Sequence, residues 1–127
     1  MRVVFIASGA IACPSLERLA TDGRHMPVMA VTQPDRPKGR SLHYASCPAQ
    51  QTARRLNIPV FAPDNINTPE SVARLSETGA DVFVVIAYGQ ILRLPVLKIP
   101  AIACINLHAS LLPRYLGAAP IQRARQG

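Results

Sequence analysis

Asn106 and His108 are the two side chains whose types and spacing best suit chemistry on a substrate. They stand two residues apart at the end of an apolar run, Ile102 to Ile105, that reads as a buried strand. Side chains two apart on a strand share a face. The carboxamide and the imidazole therefore converge just outside the carboxyl edge of a sheet, where open α/β folds bind ligands. The amide can donate a hydrogen bond to a carbonyl oxygen, and the imidazole can donate or transfer a proton to the same atom. Together they would stabilise the oxyanion of a tetrahedral intermediate, which suits acyl or formyl transfer to an amine. The competing reading of His108 is a structural strand-end histidine.

Other chemistry finds less support. Ser110 does not lie in a G-x-S-x-G elbow, so a hydrolytic triad fits poorly. The turn after the first apolar segment, Ala7 to Ala12, holds one glycine, whereas a dinucleotide fingerprint needs three at fixed spacing. His25 and His43 have no second ligand at metal spacing, and no metal is expected. Cys13, Cys47 and Cys104 are far apart and form no C-x-x-C pair. Three unpaired thiols fit a reducing, cytoplasmic compartment, and Cys104, inside an apolar strand, reads as a small buried hydrophobe.

The elements that must position Asn106 and His108 can be read from the hydrophobic pattern. Strands are expected at Arg2 to Ser8, Val28 to Thr32, Pro59 to Phe61, Asp81 to Ala87 and Ile102 to Leu107. The run Val82-Phe83-Val84-Val85-Ile86 is apolar throughout, which predicts a strand covered on both faces. Helices are expected at Pro14 to Thr21, with Leu16, Leu19 and Ala20 inward, at Ala49 to Leu56, at Thr68 to about Glu77 and at Ala118 to Arg125. Thr68 reads as an N-cap, with Pro69 at the first helical position and Glu70 in the first turn. Gln33 to Pro48 reads as a long polar loop, Tyr88-Gly89-Gln90 as a turn, and Ile91 to Leu97 as a short helical or irregular crossing. Alternating strands and helices give an α/β fold with a doubly wound, mainly parallel sheet.

Length and bulk composition fit one globular domain or part of one. The chain has 127 residues, 49% of them hydrophobic and 17% charged, which is enough to build a core. No apolar run reaches the roughly 18 residues that would span a bilayer. The opening Met1-Arg2-Val3-Val4-Phe5-Ile6-Ala7 reads as a first strand in preference to a signal segment. The net charge is +7, from twelve arginines and two lysines set against seven acidic residues. That balance is compatible with a phosphate-rich partner or with a solvated basic surface; the closest clustering is Arg36, Lys38 and Arg40.

The segment N-L-H-A-S-L-L-P-R-Y-x-G-A-A-P-I-Q-R-A, beginning at Asn106, resembles the signature of the methionyl-tRNA formyltransferases, within the folate-dependent formyltransferase group. The resemblance extends along the chain to Met1-Arg2-Val3-Val4-Phe5, to Val31-Thr32-Gln33-Pro34-Asp35-Arg36-Pro37-x-Gly39-Arg40 and to Val84 through Leu92. It implies a Rossmann-like formyltransferase fold, with residues 1–127 as the amino-terminal portion of the catalytic domain and no second domain. It implies transfer of the formyl group of 10-formyltetrahydrofolate to the amino group of methionyl initiator tRNA. By position, Asn106 and His108 would hold and polarise the formyl oxygen. Ser110, Leu111, Leu112 and Pro113, with Tyr88, Gly89, Gln90, Ile91 and Leu92, would line the folate site. The loop carrying Arg36, Lys38 and Arg40 would approach tRNA phosphates.

The chain departs from the family pattern at Ser8-Gly9-Ala10, at Leu116, where an arginine is usual, and at Ser41-Leu42-His43, where a more basic run is usual. The family's catalytic aspartate falls beyond Gly127. The 127 residues alone are therefore expected to be inactive or nearly so, and to self-associate through exposed sheet surface. Two alternatives accompany this reading: a sister formyltransferase acting on a small amine, such as a purine precursor or an amino sugar, and a non-catalytic remnant of the fold.

Overall fold

Short apolar segments, each released by a glycine or introduced by a proline, become the strands and helices of a two-sided sheet. The computed structural model describes residues 1–38, 43–107 and 121–123, with 36–38, 43–45 and 121–123 described by backbone alone. In chain order the elements are β1 (Val3–Ala7), α1 (Cys13–Asp22), β2 (Pro27–Val31), β3 (Arg36–Lys38), β4 (His43–Ala45), α2 (Pro48–Arg55), β5 (Val60–Phe61), α3 (Pro69–Ser76), β6 (Val82–Ile86), α4 (Leu94–Leu97), β7 (Ala103–Leu107) and β8 (Ile121–Arg123). A single 3₁₀ turn, Ala10–Ala12, leads into α1. Each of the four helices carries a proline in its first turn, where the missing N–H costs nothing. Thr68 caps α3, its side chain accepting from the Ser71 N–H, and α1 ends at Gly23 with φ 83.

The main sheet runs β5-β2-β1-β6-β7-β8. The first five strands in that order are parallel, and β8 is antiparallel to β7. β1 is buried at all five positions because it lies between β2 and β6 with helices on both faces. Alternation sorts its side chains. Val4 and Ile6 join Phe83, Val85, Cys104, Ile66, Leu75 and Val96 on the face covered by α3 and α4. Phe5 and Ala7 join Leu16, Ala49, Ala53 and Ile86 on the face covered by α1 and α2. The strand order reverses between β1 and β6, since β2 and β5 extend to one side and β7 to the other. Such a reversal opens a crevice at the carboxyl ends of the strands.

Two expectations are corrected. The polar stretch from Gln33 to Pro48 contains a hairpin: β3 pairs antiparallel with β4, Arg36 opposite Ala45 and Lys38 opposite His43. Periodicity gave no sign of it, because three-residue strands are too short to show an alternation. The helix expected over 118–125 is contradicted at its centre, where Ile121–Arg123 is a strand opposite Leu107, Asn106 and Ile105. Without it β7 would present a row of unpaired N–H and C=O groups, and that edge outweighs helix propensity in so short a segment.

Candidate functional site

The carboxyl ends of β1, β6 and β7 build the site. The chain leaving β6 turns sharply at Ala87, which holds φ 50, and at Gly89, which holds φ 102. The Ala87 carbonyl accepts from the N–H groups of Ser8 (3.1 Å) and Gly9 (3.2 Å), tying the end of β6 to the end of β1. A Cβ at Gly9 would stand 3.4 Å from that of Ala87, so the two strand ends are already in contact. Beside this junction lies a cleft of about 330 Å³, lined by Val85, Ala87, Tyr88, Gly89, Gln90, Asn106 and Leu107. Its size falls at the small end of ligand pockets.

Asn106 sits in β7 opposite Val85 of β6 and Gln122 of β8. It is half-buried, and no described group hydrogen-bonds its carboxamide. The residue forms part of the cleft wall. Tyr88 is 3% exposed and packs with the α3–α4 core, yet no described group hydrogen-bonds its hydroxyl. Burial, with the Cys47 thiol adding to it, pushes that hydroxyl well above the ordinary tyrosine range, so it stays a neutral donor. A buried unpaired hydroxyl beside a cleft departs from the rule that buried polar groups are satisfied.

A polar hub stands behind the turn. Gln33 follows β2, and its N–H donates to the Ser8 hydroxyl at 3.1 Å. Its side-chain Nε2 donates to the Tyr88 carbonyl at 3.1 Å, and its Oε1 accepts from Gln90 Nε2 at 3.1 Å. Gln90 also donates to the Pro63 carbonyl (3.3 Å) and accepts from the Ile66 N–H (2.8 Å). Buried Gln50 of α2 donates to the Thr32 hydroxyl at 3.1 Å and to the Gln33 carbonyl at 3.4 Å.

The structure thus brings together Tyr88, Gly89, Gln90 and Asn106 from the expected site. It does not bring Ile91 or Leu92 to the cleft wall. Ile91 is 80% exposed, and Leu92 packs against the α3–α4 core. Arg36 and Lys38 lie on β3, away from the main sheet's ladder. His108, the segment Ser110-Leu111-Leu112-Pro113 and Arg40 lie outside the described residues. Gln33 was missed by sequence reasoning. It stood within the stretch Val31 to Arg40 that resembles the family, but nothing local gave it a role at the site, and the partners that give it one are 25 and 55 residues away. Among the described residues no group of three or more His, Cys, Asp or Glu side chains could hold a metal ion, and no helix is long and apolar enough to cross a membrane.

Comparison with known proteins places this geometry. A family model described as formyl transferase matches residues 1–127. Methionyl-tRNA formyltransferase of Thiobacillus denitrificans is 49% identical over 124 residues, covering 98% of this chain and 40% of that protein. The enzyme of the same name from Sorangium cellulosum is 50% identical over 127 residues, covering all of this chain and 40% of that protein. The chain therefore spans about 40% of the length of these curated relatives. Among solved structures, glycinamide ribonucleotide transformylase 1 of Symbiobacterium toebii superimposes with a TM-score of 0.64 at 20% identity, over 93% of this chain and 56% of that one. Its counterpart from Geobacillus kaustophilus gives 0.61 at 20% identity, over 94% and 63%. At that identity the likeness is one of fold.

Proposed function

This chain belongs to the formyl transferase family, and from that premise we propose that it forms the amino-terminal part of a site that passes a formyl group from 10-formyltetrahydrofolate to the amino group of methionyl initiator tRNA. One observation carries the reading. Asn106, in a chain about half identical to methionyl-tRNA formyltransferases, lines a cleft at the strand ends with a carboxamide that no described group hydrogen-bonds. The cleft combines apolar walls from Val85 and Leu107 with the backbone of Ala87 to Gln90, a lining that fits a flat heteroaromatic donor with polar edges. The folate supplies the activated formyl group. Asn106 donates to the formyl oxygen as negative charge gathers on it, and His108 holds or delivers a proton at the same oxygen. Ser110 to Pro113, with Tyr88 to Gln90, flank the donor. Arg36, Lys38 and Arg40 contact tRNA phosphates, so binding weakens as salt rises.

Methionyl tRNA is preferred over a small amine as acceptor because 46–50% identity joins this chain to the tRNA enzymes, while the likeness to glycinamide ribonucleotide transformylases stands at 20%. The test substitutes this chain for the matching 124 residues of the Thiobacillus denitrificans relative. The chimera should formylate methionyl initiator tRNA and leave glycinamide ribonucleotide untouched. Asn106→Ala and His108→Ala should each lower kcat by about 10²–10³, the usual cost of one oxyanion donor. An active chimera indifferent to both substitutions would refute the site. One that prefers glycinamide ribonucleotide would refute the acceptor.

A further inference from the structure

We propose that Gln33 and Gln90 are positioning residues for the cleft, acting as a directional pair of carboxamides that sets the Tyr88–Gly89 peptide. The inference rests on the formyl-transfer reading for the identity of the ligand, and on geometry for the rest. The Ile66 N–H can only donate, so the atom of Gln90 that meets it at 2.8 Å is the oxygen. The Gln90 NH₂ must then face Pro63 O and Gln33, where it finds two oxygens at 3.3 and 3.1 Å. Gln33 consequently turns its oxygen toward Gln90 and its NH₂ toward the Tyr88 carbonyl, at 3.1 Å. Each amide orientation dictates the next, so the pair has one consistent arrangement.

That arrangement fixes a peptide on the cleft wall. No described peptide bond is cis, and in a planar trans unit the N–H points opposite to the carbonyl. Holding Tyr88 C=O toward Gln33 therefore aims the Gly89 N–H away from Gln33. No described group accepts that N–H, and Gly89 lines the cleft. The space around Gly89 is shaped by the same contact: a Cβ there would lie 2.7 Å from Gln33 Nε2. Gln33 is also the first residue of the stretch that runs into β3, the segment read as facing tRNA. A residue on the acceptor side of the site thereby sets a backbone group on the donor side.

Isosteric substitutions test this on the 127-residue chain. Gln33→Glu keeps shape but puts a carboxylate oxygen against the Tyr88 carbonyl. Gln90→Glu keeps the acceptor for Ile66 and loses the donor to Gln33. Gln51→Glu, at an exposed α2 position whose Nε2 donates to Ser46 O, controls for added charge. Two readouts are taken at a temperature where all variants are folded: the amide NMR shift of Gly89, and the Kd for tetrahydrofolate by calorimetry. Both cleft variants should move the Gly89 signal and weaken tetrahydrofolate about tenfold, the scale of one misplaced hydrogen-bonding group, while Gln51→Glu changes neither. An unmoved Gly89 signal in both variants overturns the proposal. A moved signal with unchanged tetrahydrofolate affinity also overturns it, leaving the pair as a structural tie. If the unsubstituted chain fails to bind tetrahydrofolate, the donor assignment falls, and the pair is then judged on the Gly89 signal alone.

Discussion

Gly89→Ala should destabilise the chain more than Gly23→Ala, and the difference should disappear when Gln33 is removed. Both glycines hold positive φ, 102 at Gly89 and 83 at Gly23. An L-residue in left-handed backbone costs about 1–2 kcal/mol, partly offset by the lower chain entropy of alanine in the unfolded state, about 0.4–1 kcal/mol. Gly23→Ala, whose Cβ would meet nothing within 4 Å, should show only this net cost of about 1 kcal/mol. At Gly89 the new Cβ would stand 2.7 Å from Gln33 Nε2. A free side chain would swing away at little cost, but this one holds the Tyr88 carbonyl and Gln90 at 3.1 Å each. Displacing it forfeits at least one net hydrogen bond, about 1 kcal/mol, and up to ~3 kcal/mol if the carbonyl is left buried and unpaired. Gly89→Ala should therefore exceed Gly23→Ala by about 1–3 kcal/mol in urea unfolding. In a Gln33→Ala background the excess should fall below about 0.5 kcal/mol, the additivity limit for uncoupled sites. An excess that survives Gln33→Ala would show that the cost at Gly89 is purely conformational, and the reasoning about the hub would fail.

Further outcomes follow from burial. Tyr88→Phe removes a buried hydroxyl that has no partner among the described residues, so it should stabilise the fold by about 1 kcal/mol in denaturant titration; a loss of stability would mean that the hydroxyl is bonded in solution. Phe83 is fully buried between β1 and β7, and Phe83→Ala should cost about 3–5 kcal/mol in the same assay, enough to unfold a marginal domain. Burial pushes the Cys104 thiol from 9.0 up to about 11. The unfolded chain releases that proton at lower pH than the folded chain, so stability is complete below about pH 9 and declines as pH rises from there toward about 11. The urea midpoint should therefore fall between pH 8 and pH 10, and Cys104→Ala should flatten that fall; an equal slope in both proteins would refute the assignment. Cys104 should also react more slowly with a thiol reagent than half-buried Cys13 and Cys47.

What could be read from residues and what could not divides along a physical line. Local signals carried the strands, since continuous apolarity at Val82–Ile86 is enforced by burial on both faces, and they carried α3, since Thr68 and Pro69 satisfy or remove orphan donors within one turn. The placement of Asn106 at a strand end beside the cleft also came from local pattern, because the period of two along β7 needs no partner strand to be known. The β3–β4 hairpin and β8 were missed because strands of three residues exist only through the partner they pair with. Gln33 was missed for the same reason at the level of a side chain. Its meaning lies in Ser8, Tyr88 and Gln90, which the β1–β2–β6 topology gathers from distant parts of the chain. Its membership of a family-like segment says nothing of what it bonds until the sheet order is known. Asn106 was thus legible as a polar side chain at a strand end. The residues that hold the cleft in shape become visible only when neighbouring strand ends are set side by side, and in this fold that makes the positions behind the site more informative than further positions along the motif.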